Sequence, residues 1–156
     1  MNDILQVTVV LGVLLVLAGC RGAEEPAPAP SQQPMAAHSI RELEAELHLD
    51  LPEKLWLLTS TDGGGRDPGF HLWLVYSTTD MTLSPKQDVQ VGSLEQHLEP
   101  DWIAEWVSSL VPKGRLPAAK DAAIGTWTTG KHEYRAEVLR TVRGSYLVVQ
   151  RFAAHP

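Results

Sequence analysis

Tyr134-Arg135-Ala136-Glu137-Val138-Leu139-Arg140-Thr141 and Ser145-Tyr146-Leu147-Val148-Val149-Gln150-Arg151-Phe152, separated by Val142-Arg143-Gly144, decide the fold of this chain. Both runs are rich in β-branched and aromatic residues, and Arg143-Gly144 between them is a turn signal, so they read as an antiparallel ribbon. A two-residue turn there sets a register in which Val138 faces Val149 and Arg140 faces Leu147 on the drier side. Leu139 then faces Val148 and Glu137 faces Gln150 on the other side. A helix over His132–Val142 is the rival reading, because Tyr134, Val138 and Val142 also recur at i, i+4 and i+8.

Working outward, Gly125–Thr129 reads as a further strand. Phe70–Ser77 alternates, with Phe70, Leu72, Leu74 and Tyr76 on one side and His71, Trp73, Val75 and Ser77 on the other. Lys54–Ser60 is a nearly continuous apolar run, expected to be buried on both faces. The breaker cluster Asp62–Gly69 between these two strands predicts a hairpin with a long loop. Thr78–Gly92 is weakly patterned and reads as loop, with one short strand at Asp88–Val91.

Two helices complete the inventory. Ser39-Ile40-Arg41-Glu42 has the form of a capping box, which starts a helix at Ile40 with Ile40, Leu43 and Leu47 on one face. Ser93-Leu94-Glu95-Gln96 has the same form. Pro100 suits the first turn of a second helix, with an apolar stripe of Trp102, Ile103, Trp106, Val107 and Leu110. The order of elements predicts an α+β domain: a small antiparallel sheet of four to five strands with two amphipathic helices packed on one face.

Ahead of this domain, Ile4–Ala18 is an apolar run of about fifteen residues, short of the roughly twenty that a spanning helix needs. It ends in Leu17-Ala18-Gly19-Cys20, with small residues before the only cysteine of the chain, as cleavage of a signal segment requires. These four residues resemble the lipobox of bacterial lipoproteins. The resemblance implies cleavage between Gly19 and Cys20, a diacylglycerol thioether on the Cys20 sulfur and acylation of the new amino terminus. Several acyl chains then hold the chain on a bilayer, each buried methylene contributing about 0.8 kcal/mol. Arg21 follows the cysteine where an aspartate marks retention at the inner membrane in many such proteins. The resemblance therefore implies the outer membrane, facing the periplasm. Residues 21–36 carry four prolines and little to bury, and read as an extended tether. The organisation expected is a signal peptide at 1–19, a lipidated cysteine and tether at 20–36, and one domain at 37–156.

No stretch of the domain carries a strong chemical signature. Gly125–Lys131 matches the phosphate-loop template, but His132 stands where a Ser or Thr would hold Mg²⁺. The Asp62–Gly69 loop lacks the ligand order of a calcium loop. The six histidines, of which His48 with Asp50 is the closest acid pair, have no metal-ligand spacing. No nucleophile elbow is present. No catalytic residue, metal or cofactor is therefore assigned.

Trp73 and Trp127 are candidate binding-surface aromatics. Charge is lopsided: His38–Pro112 holds four basic and thirteen acidic residues, while Lys113–Pro156 holds eight basic and three acidic. This makes Arg135 and Arg143, with Lys131, Arg140 and Arg151, candidates for meeting an anionic partner. The expectation is a lipid-anchored envelope protein acting as a non-catalytic binding or assembly module. Its partners would be the membrane, through the lipid, and an anionic envelope component or envelope protein, with no nucleic acid. The alternative is a small hydrolase-like envelope enzyme whose acid and histidine meet only in the fold. Replacing Cys20 by Ser is expected to abolish incorporation of labelled palmitate and to leave unprocessed precursor or release the chain from membranes; equal labelling of the variant would contradict the anchor.

Overall fold

The structure, a computed structural model, describes residues 33–63, 69–111 and 116–154. The lipobox with Gly19 and Cys20, most of the tether, and residues 64–68 lie outside the described residues. The elements are α1 (Ala37–Leu47), β1 (Trp56–Asp62), β2 (His71–Ser77), β3 (Gln90–Leu98), α2 (Asp101–Leu110), β4 (Ala119–Thr128), β5 (His132–Thr141) and β6 (Gly144–Ala153). All the strands join one antiparallel sheet in the order β1-β2-β6-β5-β4-β3.

This corrects the expected architecture twice. The sheet has six strands rather than four to five, and the helices pack on opposite faces rather than on one. Ile40, Leu43 and Leu47 of α1 cluster with Trp73, Val75, Val138, Leu147 and Val149. Ile103 and Val107 of α2 cluster instead with Leu72, Leu74, Leu139, Tyr146 and Val148. Successive residues of β2, β5 and β6 thus serve different helices, as a period of two requires when the sheet is the middle layer. Each fully buried aliphatic side chain in these layers contributes roughly 1.5–3 kcal/mol. The segment between β2 and β3, expected to be loop up to a short strand at Asp88–Val91, crosses the α1 face and buries Met81 and Leu83 there before β3 begins at Gln90.

The ribbon predicted from sequence is present, and the rival helix over His132–Val142 is not. Its turn is Val142-Arg143, with Thr141 paired to Gly144. Gly144 takes φ +135° at the head of β6, where a Cβ would overlap the Ser77 carbonyl oxygen of β2. Glycine therefore serves a close backbone approach rather than the turn itself. The register slides by two residues, pairing Val138 with Leu147 and Glu137 with Val148. An even slip leaves every side chain on its predicted face.

Other differences have equally local causes. The N-cap of α1 is Ala36 with no side-chain cap, and the Ser39 hydroxyl instead contacts the His38 ring. Ser93–Gln96, the second capping-box pattern, lies within β3, an edge strand exposed along most of its length. β1 is the opposite edge strand and is only partly buried, contrary to the two-sided burial its apolar run predicts.

The far end of α1 is closed by side chains of the sheet. Trp127 Nε1 donates to Leu47 O at 3.1 Å, and the Tyr134 hydroxyl donates to Glu46 O at 3.1 Å. Helix ends leave such carbonyls without intrahelical donors, and here two aromatic polar tips satisfy them. The two rings are cross-strand partners, stacked with centroids 5.6 Å apart and planes 5° from parallel. His48 then leaves the helix at φ 54°, and residues 48–50 bond to Ser84 and Lys86 of the crossing segment. One joint thus fastens helix, sheet and crossing segment.

Candidate functional site

The residues singled out from sequence do not converge. Trp127 is fully buried beneath α1, and Trp73 is 3 % exposed on the same face, so neither indole offers a surface platform. Arg135 lies on the α2 face, where it stacks against Trp102, and Arg143 lies at the β5–β6 turn. Six residues of strand from Arg135 to Thr141 at about 3.4 Å each, with Arg143 in the turn beyond, put the two arginines roughly 20 Å apart along the sheet.

Much of the C-terminal basic excess is neutralised internally. Arg140 is buried on the α1 face, where its Nε bonds Asp121 Oδ1 at 2.5 Å and its Nη1 donates to Met81 O at 2.8 Å. This ties β4, β5 and the crossing segment together, with the buried charge both paired and hydrogen-bonded. Arg151 Nη1 reaches Glu46 Oε1 of α1 at 2.9 Å, and its guanidinium lies over the Trp73 ring. Burial pushes the Asp121 carboxyl up, but hydrogen bonds from Arg140 and His97 outweigh it and hold the group below its usual range.

Arg135 differs in facing a groove. Its Nε donates to Glu137 Oε1 at 2.9 Å, and its Cζ lies 5.8 Å from the Trp102 ring centroid. Trp102, expected in the core stripe of α2, is 46 % exposed because Ile103 and Val107 occupy the buried side of that helix. The groove has a volume of about 560 Å³ and is lined by Gln90, Thr126, Thr128, Glu133, Arg135 and Phe152 among others. It exists because α2 covers only part of its face of the sheet. Gly92 lines it too, and a Cβ there would crowd the Thr126 hydroxyl.

Glu137 is 3 % exposed, and its Oε2 is one of three buried side-chain polar atoms without a partner among the described residues. Burial pushes its carboxyl up, with the charge of Arg135 acting against the rise. A carboxylate half satisfied in this way is retained at a cost, since one oxygen loses water without gaining a donor.

Histidine and acid meet at three places, none predicted by the His48–Asp50 pairing. His48 Nδ1 meets Asp88 Oδ2 at 2.9 Å, His97 Nδ1 meets Asp121 Oδ2 at 2.7 Å, and His71 Nδ1 meets Asp62 Oδ1. Of the three histidines, His71 also reaches a hydroxyl, with Nε2 2.6 Å from Ser60 Oγ. Among the described residues no group of three or more His, Cys, Asp or Glu is placed to hold a metal. No described helix is long and apolar enough to cross a membrane. Comparison with protein-family models, with curated proteins and with solved structures finds no match.

The raised Glu137 carboxyl has a sign that can be measured. The folded chain holds this proton more tightly than the unfolded chain, whose carboxyl titrates near 4.5. The contribution of Glu137 to stability is therefore fully present below about pH 4.5 and is lost as pH rises through the folded value. Glu137→Gln, which keeps the neutral form at every pH, is expected to match the wild type in denaturant unfolding at low pH. It should become the more stable of the two at neutral pH. A variant less stable at neutral pH than at low pH, relative to wild type, would contradict this.

Proposed function

We propose that this chain is a lipid-anchored protein of the bacterial cell envelope whose folded part is a binding module, taking an isolated anionic group of an envelope component at Arg135. The anchoring half of the proposal rests on Leu17-Ala18-Gly19-Cys20 and the proline-rich stretch that follows. The binding half rests on one observation: Arg135 is fixed between the buried Glu137 carboxylate and the Trp102 ring at the side of an open groove.

A guanidinium held on two sides gives up less rotamer freedom when it meets a ligand, and its planar fork matches a carboxylate or phosphate. Its side chain remains 45 % exposed, so the fork is within reach of the groove. Glu133 in the same groove disfavours a dense polyanion and favours a single acidic group among hydroxyls or amides. Thr126, Thr128 and Gln90 supply polar contacts for such neighbours. The membrane anchor and the tether would hold this surface near its partner and raise the effective concentration.

Titrating the detergent-solubilised chain with a short neutral peptide bearing a single glutamate, read by tryptophan fluorescence, tests the binding half. Affinity is expected to fall with added salt and to drop about tenfold in Arg135→Gln, in line with loss of a charge-assisted contact. Arg143→Gln, remote from the groove, is expected to leave it unchanged. Binding that ignores salt and Arg135→Gln, or that depends on Arg143 instead, would contradict this reading.

A further inference from the structure

We propose that Ser60, His71 and Asp62 form a nucleophilic site for carboxylic esters, on the α1 face and therefore separate from the groove at Arg135. The three come from the β1–β2 hairpin: Asp62 is the cross-strand partner of His71, and Ser60 that of Trp73. Residues i and i+2 of a strand share a face, so Ser60 and Asp62 flank one imidazole. Ser60 Oγ lies 2.6 Å from His71 Nε2, and Asp62 Oδ1 meets His71 Nδ1. Nucleophile, base and orienting carboxylate thus stand in the sequence of contacts that activates a serine.

Two further features fit the chemistry. The His71 ring is stacked on Trp73 with centroids 3.9 Å apart and planes 24° from parallel, so the base is fixed in orientation by a buried indole. β1 is the edge of the sheet, and its hydrogen bonds alternate in direction. Gly63 N donates inward to Phe70 O. Stepping back by two residues, Thr61 also faces β2, and the N–H groups of Asp62 and Ser60 face the open edge. The Ser60 N–H is thereby available to the oxyanion that forms when its own hydroxyl adds to a carbonyl. The same edge lets an extended acyl substrate approach without displacing a strand.

In the acylation step Ser60 Oγ bonds to the ester carbonyl carbon, and His71 Nε2 takes the hydroxyl proton. The carbon–oxygen bond to the alcohol then breaks, and the alcohol leaves with the proton from His71. Water, with His71 again as base, cleaves the acyl-serine to release the acid and restore the hydroxyl. Asp62 is a positioning residue that orients His71; its carboxylate is 80 % exposed, so its effect is smaller than in a buried triad.

A fluorophosphonate tests the site without knowledge of the natural ester. Ser60 Oγ should displace fluoride from phosphorus, leaving one adduct on the tryptic peptide that contains Ser60, seen by mass spectrometry of the full chain. Ser60→Ala is expected to abolish the adduct, and His71→Ala to lower its rate by roughly 100-fold, the low end for loss of a general base. Asp62→Asn should slow labelling and Asp62→Glu should restore part of it. Circular dichroism of each variant separates loss of the base from loss of the fold. No adduct on the folded wild-type chain, an adduct elsewhere than Ser60, or a rate in folded His71→Ala equal to wild type would overturn the proposal. None of these results bears on binding at Arg135, which lies on the other face.

Discussion

The joint on which this structure depends is the meeting of the last turn of α1 with Trp127 and Tyr134. Two helix carbonyls, Leu47 O and Glu46 O, take their donors from an indole N–H and a phenol O–H of the sheet. A buried carbonyl left without a donor costs about 1–3 kcal/mol, so both rings serve twice, as apolar area and as caps. Their stacking also fixes β4 against β5 at the end of the sheet that α1 reaches. Immediately beyond, His48 turns the chain into the short ladder with residues 84–86, which starts the crossing segment over the α1 face.

With the centre of one face covered by α1 and the crossing segment, the other is left to α2 alone. That helix is ten residues long and cannot cover six strands, which is why the groove at Arg135 exists. The polar groups at the boundary follow from incomplete cover: Glu137 is dry but half satisfied, and Arg135 bridges it to the half-exposed Trp102 indole of the helix. The hairpin β1–β2 lies at the opposite edge. There the same rule of alternation that builds the core brings Ser60, Asp62 and His71 together on the α1 face.

Much of this was legible where a local rule decides the outcome. Ile40, Leu43 and Leu47 lie on one helical face because the 3.6-residue period requires it, and all three are buried. The alternation of Phe70–Ser77 also holds, with Leu72 and Leu74 serving one helix and Trp73 and Val75 the other. What was not legible depends on partners distant in sequence. The position of the β5–β6 turn is set by the approach of Gly144 to Ser77 in another strand. The burial of Arg140 depends on Met81 and Asp121, which no short window contains. β3 carries little alternation because neither of its faces is well covered, so Ser93–Gln96 looked like the start of a helix. The placement of the helices on two faces follows from topology, and amphipathic stripes alone do not encode it. For the candidate sites, Arg135 was visible as charge, whereas Ser60 with His71 required the hairpin register.

Hydrogen exchange of the tryptophan indole protons in nitrogen-15-labelled protein tests the central joint most directly. The Trp127 indole N–H, buried and bonded to Leu47 O, is expected to exchange only on global unfolding, while that of the half-exposed Trp102 exchanges close to the free rate. A Trp127 indole proton that exchanges as fast as that of Trp102 would show that α1 is not fastened to the sheet at its last turn, and the architecture built on that joint would fail with it.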